Sequence, residues 1–170
     1  MAGFPKLIPA FTVQVAIATP QAISTSLTFV PFLSAGGTII SEPSYPIQLN
    51  AAIEHGADYI KAGPDGPDGS SSRHVRLDVQ SLARDATTGA LLRFIYRGKI
   101  ATTGDAGRVL RGEEGAGTTA FGEAFSVVEF EVGSKELAVL EEKVYVGSGR
   151  FIIEPGKPTI VEYKVSEVTA

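Results

Sequence analysis

The chain has 170 residues, a formal net charge of −4 at pH 7, 44% hydrophobic residues and no cysteine. That length suits a single domain, expected over residues 1–170, with a core large enough to need no staples. Disulfides, thiolate metal sites and a cysteine nucleophile are excluded, and the acidic balance argues against a nucleic-acid surface.

Residues 7–18 are fairly apolar and end in Ala16-Ile17-Ala18, which imitates a signal cleavage site. Pro9, Thr12 and Gln14 interrupt the stretch, however. Phe11, Val13, Val15 and Ile17 alternate with Thr12, Gln14 and Ala16, the period of a strand. Residues 11–17 are therefore read as the first strand, and the protein is placed in the cytoplasm. No apolar run approaches the roughly 20 residues that cross a bilayer as a helix.

Residues 24–32 form the second expected strand, and 37–41 the third, after a Gly36-Gly37 turn. Residues 47–53 (IQLNAAI) are ambiguous, because alanine also favours helix. GPDGPDGSSS at 63–72 is a loop, with Pro, Asp and Gly at turn positions. Residues 74–84 and 91–97 are expected to pair as a hairpin around the turn at 85–89. Residues 102–119 are rich in Gly and Thr and are expected to be mobile. Strands follow at 125–132, 143–146 and 159–168. Residues 134–142 (SKELAVLEE) predict one short helix, with Ser134 as N-cap and Leu137 and Leu140 three apart. About nine to ten strands without intervening helices exclude a parallel α/β sheet and leave a barrel or a sandwich.

No established catalytic signature occurs: there is no GxSxG, HExxH or P-loop, and GEEGAG at 112–117 reads as a loop. The two histidines, His55 and His74, are too few for a histidine cage; a mixed site with Asp58 or Asp78 stays open. The strand at 74–84 carries Arg76, Asp78 and Gln80 on one face and Val75, Leu77 and Val79 on the other. Either the polar face is solvated or it lines a lumen, where a carboxylate beside Arg could orient or deprotonate a ligand. Leu92, Phe94 and Tyr96 share a face of the next strand. Glu129 and Tyr145 each sit among apolar neighbours, and Asp58-Tyr59 precedes the 63–72 loop.

The stretch HVRLDVQSLARDATTGALLRFIYRG at 74–98 resembles the central hairpin of the family labelled "domain of unknown function three-two-three-seven". Leu77-Asp78-Val79, Asp85, Gly89, Tyr96 and Gly98 match its pattern, while Gln80 stands where the family has Arg. Gly36-Gly37-Thr38, Gly56-Ala57-Asp58-Tyr59, Phe130-Glu131 and Val146-Gly147-Ser148-Gly149-Arg150 resemble its other segments, in order. Val139-Leu140-Glu141 departs from its usual Trp-Leu-Asn. The resemblance implies an all-β fold, a closed or nearly closed antiparallel β-barrel similar in outline to calycins and allene oxide cyclases. Fungal barrels of related shape belong to natural-product pathways.

The expected function is a cyclase, isomerase or lyase of secondary metabolism that needs no cofactor and no metal. It would act on a small hydrophobic organic ligand held in the barrel. Asp78 and Asp58 would be acid–base or orienting carboxylates, Arg76 and Tyr96 would stabilise oxyanions, and His55 would carry a proton. Tyr59, Gln80, Phe94, Glu129 and Tyr145 would contact substrate. The alternative is a binding or carrier barrel without chemistry. Neither nucleic acid nor membrane is an expected partner, and a homodimer is an assembly this reading allows.

Overall fold

Period-two alternation becomes long antiparallel strands in the computed structural model, which describes residues 3–170. They are β1 (Lys6–Ile17), β2 (Gln21–Ala22), β3 (Leu27–Ser41), β4 (Asn50–Ala62), β5 (His74–Asp85), β6 (Leu91–Ala101), β7 (Ala124–Val132), β8 (Tyr145–Ile152) and β9 (Ile160–Thr169). From β3 to β9 each strand pairs with the next, and β9 pairs with β1. The additional pairing of β1 with β3, from Phe11↔Ser41 to Ile17↔Phe32, closes the ring. The fold is thus an eight-stranded closed antiparallel β-barrel. The two-residue β2 lies beside Thr28 and Phe29 of β3 as an extra strand.

Inward positions follow the apolar alternation. Phe11, Val13 and Val15 of β1, Leu77 and Val79 of β5, and Leu92, Phe94 and Tyr96 of β6 are all buried. One half of the lumen is filled by rings. Phe11 lies 5.5 Å from both Phe130 and Tyr145, and Phe94 lies 5.3 Å from Phe130. A polar group of Tyr45, Tyr145, Lys143 and Glu167 closes that end. The Tyr45 hydroxyl donates to Glu167 Oε2 at 2.6 Å, and Lys143 Nζ donates to Glu167 Oε1 at 2.7 Å. Burial would raise the Glu167 carboxyl, but the bonds from Lys143 and Tyr45 outweigh it and hold the group below its ordinary value. Burial pushes the Tyr145 phenol up to about 12.

Several local expectations are corrected. The second and third expected strands are one strand, β3, and Gly36-Gly37 is no turn. A Cβ on Gly37 would meet Ile53 Cβ at 3.0 Å and the Gln14 carbonyl oxygen at 3.1 Å, so the glycine serves close strand approach. The ambiguous 47–53 stretch ends in β4. Residues 134–142 hold only a three-residue 3-10 turn, Ala138–Leu140. Ser134 caps nothing there, because its hydroxyl is bonded to the Glu136 carboxylate. Leu137 and Leu140 are both buried, and three-residue spacing stacks them equally well in a 3-10 turn.

The Gly/Thr-rich stretch after β6, in turn, holds the α-helix α1 (Asp105–Leu110). The Ala106 N–H donates to Glu123 Oε2 at 2.7 Å, which satisfies a free amide of its first turn. A Cβ on Gly107 would lie 2.0 Å from the Thr102 carbonyl oxygen, so only glycine lets α1 dock on the end of β6. Among the described residues no helix is long and apolar enough to cross a membrane.

Candidate functional site

The other half of the lumen is open. A cavity of about 860 Å³ reaches from mid-barrel to a mouth formed by the β1–β3 connection, residues 71–73, α1 and the β8–β9 loop. Its volume falls in the range that holds a drug-sized ligand. The wall is mainly apolar, with Val30, Phe32, Ile60, Leu77, Ile100 and Val161 among its residues. Asp58, Tyr96 and Tyr163 supply the ionisable groups of the deep end.

Asp58 reaches the lumen through a local irregularity of β4. Ala51 and Ile53 point inward, opposite Asp85 and Ala83 of β5. The register then shifts between Ile53 and His55, so that His55 pairs with Leu82, Gly56 with Ser81 and Asp58 with Val79. One extra residue in β4 reverses the parity of everything after it. Gly56, Asp58 and Ile60 consequently face inward. Asp58 is 8% exposed, and its Oδ1 accepts the Asp78 backbone N–H at 3.1 Å. Burial raises its pKa from 3.8 to about 7; the Asp78 amide opposes this rise, and the charge of the Asp78 side chain adds to it.

Tyr96 comes from the inward face of β6 and Tyr163 from that of β9; their ring centroids are 4.9 Å apart. Burial raises both phenols above the ordinary tyrosine value, and the Asp58 charge raises them further. Both therefore stay neutral O–H groups near neutral pH. Tyr163 has room only because its cross-strand partner is Gly149. A Cβ there would sit 2.6 Å from Tyr163 Cζ, and one on Gly147 would sit 3.1 Å from Tyr163 Cδ1. The Val-Gly-Ser-Gly-Arg segment thus makes space for a phenol ring.

Of the ten residues singled out from the sequence, Asp58 and Tyr96 line this cavity together. Arg76, Asp78 and Gln80 occupy the outer face of β5. The expectation of a lumenal polar face is corrected: Leu77 and Val79 fill the inside, so the alternating polar set must face out. Asp78 lies 3.5 Å from Arg97, and Gln80 bonds to Arg93, both at the surface. His55 and Tyr59 also face outward, since the β4 bulge puts their side chains opposite to Asp58. Tyr59 packs on Phe29 with centroids 5.2 Å apart. Glu129 is exposed on β7. Phe94 belongs to the aromatic filling, and Tyr145 to the polar group at the closed end. Tyr163 was not singled out; two glycines spaced to face inward on the preceding strand were its signal. Among the described residues no three His or carboxylate side chains converge as metal ligands.

These features define a class: a small closed β-barrel with a one-ended, mainly apolar cavity and an acidic group flanked by phenols at its floor. The chain belongs to the family described as "Protein of unknown function (DUF3237)", which matches residues 5–168. No functionally curated protein matches its sequence. It is similar in structure to a conserved protein of unknown function from Rhodopseudomonas palustris, with a TM-score of 0.74, 16% identity and coverage of 99% of this chain and 100% of that one. A beta-barrel like protein from Acinetobacter baumannii AYE gives a TM-score of 0.68 and 19% identity, covering 99% of both chains. A protein described as an enzyme, from Penicillium herquei, gives 0.55 and 15%, covering 97% of this chain and 95% of that one.

Proposed function

We propose that the chain is an acid–base enzyme of the cyclase, isomerase or lyase type. It would act without a cofactor on a small hydrophobic molecule held in the barrel. One observation carries the reading: Asp58, brought to about 7 by burial, sits on the same cavity wall as two neutral phenols. A carboxyl near neutrality can both take and return a proton at working pH.

In the proposed step, ionised Asp58 takes a proton from a carbon beside a carbonyl, or from a hydroxyl. The electron pair left behind collects on oxygen, where the Tyr96 and Tyr163 hydroxyls donate hydrogen bonds. Such donors stabilise charge most in a dry site. Asp58 then returns the proton at another position, which completes an isomerisation or lets a ring close. The apolar wall holds a flexible substrate in a reactive shape. This chemistry suits an intermediate of natural-product metabolism.

The test follows deuterium entry from D2O into hydrophobic ketones such as 2-tetralone by proton NMR. The wild-type protein should accelerate exchange over buffer. Asp58→Asn should lower the rate by a factor of about 10²–10⁴. Tyr96→Phe and Tyr163→Phe should each lower it by about 10². Ligands that bind the cavity but neither exchange nor rearrange would defeat the reading and favour the carrier barrel.

A further inference from the structure

Charged side chains on the cavity wall are separated by depth. Asp58 lies at the floor, whereas Arg73 and Arg111 stand at the mouth. Both arginines are tied to the end of β6. The Thr102 N–H donates to the Arg73 carbonyl at 3.0 Å, and Arg111 Nη1 donates to the Thr102 carbonyl at 2.8 Å. Arg111 is also held by Glu113 at 2.7 Å through Nε, which leaves its Nη2 edge free of that contact. Arg73 takes part in none of the ion pairs found among the described residues. The hydroxyls of Ser71 and Thr103 belong to the same rim, and Val75, Ile100, Val109 and Leu110 make the wall below it apolar.

We propose that this cavity takes an amphipathic organic acid, with its carboxylate held at the mouth by Arg73 and Arg111 and its apolar body reaching down to Asp58. This inference rests on the acid–base reading and names the substrate class for it. Electrostatics fixes the orientation. A ligand entering acid-first would bring a second carboxylate beside Asp58 in an apolar pocket, where like charges are strongly disfavoured. Entering tail-first leaves the carboxylate half in water, against the planar fork of Arg73 and the remaining Nη2 of Arg111. The reacting carbonyl or hydroxyl then lies at the far end, next to the tyrosines. Asp58 and Ala62, the latter near the rim, are four steps apart along β4, about 13 Å at 3.3 Å per residue. The molecule is thus a keto or hydroxy acid with an apolar body of about that length.

Titration calorimetry with dodecanoate and with methyl dodecanoate, two probes alike except in charge, tests the inference. Wild-type protein should bind the acid at least about tenfold more tightly than the ester, and added salt should shrink that ratio. Arg73→Glu should abolish the preference by weakening acid binding far more than ester binding; Arg73→Ala should do so in part. Arg73 is exposed, so neither change threatens the core. Equal binding of acid and ester by the wild type overturns the inference, as does a loss in Arg73→Glu that is the same for both. Dodecyl phosphate binding more tightly than dodecanoate would overturn the carboxylate assignment. The two readings fail separately. A preserved acid preference without proton exchange on any ketone defeats only the acid–base reading. Ketone exchange with no acid preference defeats only the anionic mouth.

Discussion

Replacing Asp58 with Asn should stabilise the protein at pH 8 and change it little near pH 4. The carboxyl titrates at about 7 in the folded chain and near 3.8 when unfolding returns it to water. Below 3.8 it is neutral in both states. Between the two values the unfolded chain releases the proton and the folded chain keeps it, so stability falls as pH rises. Above about 7 the folded protein carries a desolvated charge and the whole penalty is present. A gap of about three pH units corresponds to about 4 kcal/mol at 1.36 kcal/mol per unit. The Asn side-chain oxygen still accepts the Asp78 N–H, so the variant loses the charge and keeps the bond. Tyr96 and Tyr163, which face Asp58 from β6 and β9, stay neutral throughout this window, and the Asp78 side chain lies on the outer face.

Urea midpoints of both proteins from pH 4 to pH 8 would measure this, since other titrating groups cancel in the difference. With a urea slope of about 2 kcal/mol/M, the midpoints should separate by about 2 M at pH 8 and converge near pH 4. A difference that stays flat across the range would refute the reasoning, because Asp58 would then not be a buried carboxyl titrating near neutrality.

Gly149→Ala forces a Cβ to 2.6 Å from Tyr163 Cζ, so the ring must move; the overpacking should cost about 1–3 kcal/mol by urea unfolding, with a matching loss of ketone exchange. Glu167→Gln removes a carboxylate whose pKa is depressed, and its contribution to stability is present above about 4.5 and lost as pH falls. The variant should thus be destabilised at pH 7, with the gap to wild type closing below pH 4. Arg76→Ala and Asp78→Asn, both on the outer face, should change stability by no more than about 0.5 kcal/mol and preserve exchange. Asp78→Asn also removes a like charge near Asp58, so its exchange profile should move to lower pH.

Which stretches become strands is legible in the sequence, but which way their side chains point is only partly so. At 11–17 and 75–80 the alternation is plain, and the strands lie where it puts them; 91–97 also becomes a strand, although Phe94, Ile95 and Tyr96 are apolar in a row and all three are buried. On β5 the pattern separates Leu77 and Val79 from Arg76, Asp78 and Gln80, yet choosing the inner set needs the packing. Half of this barrel is filled with rings, and that core takes the apolar set. β4 is harder. Alternation continued from Ala51 and Ile53 would turn His55, Ala57 and Tyr59 inward. The extra residue before His55 carries no local sequence mark, because its reason is register against β5. That single irregularity turns Asp58 from a surface carboxylate into a buried one, and it sends out His55 and Tyr59. Tyr163 is hidden in the opposite way: its own strand alternates plainly, but the space for its ring comes from Gly149 across the ladder. The floor of the cavity is therefore set by cross-strand register more than by any motif. Asp58 also stands where its charge costs stability, a cost that the proposed acid–base role would explain.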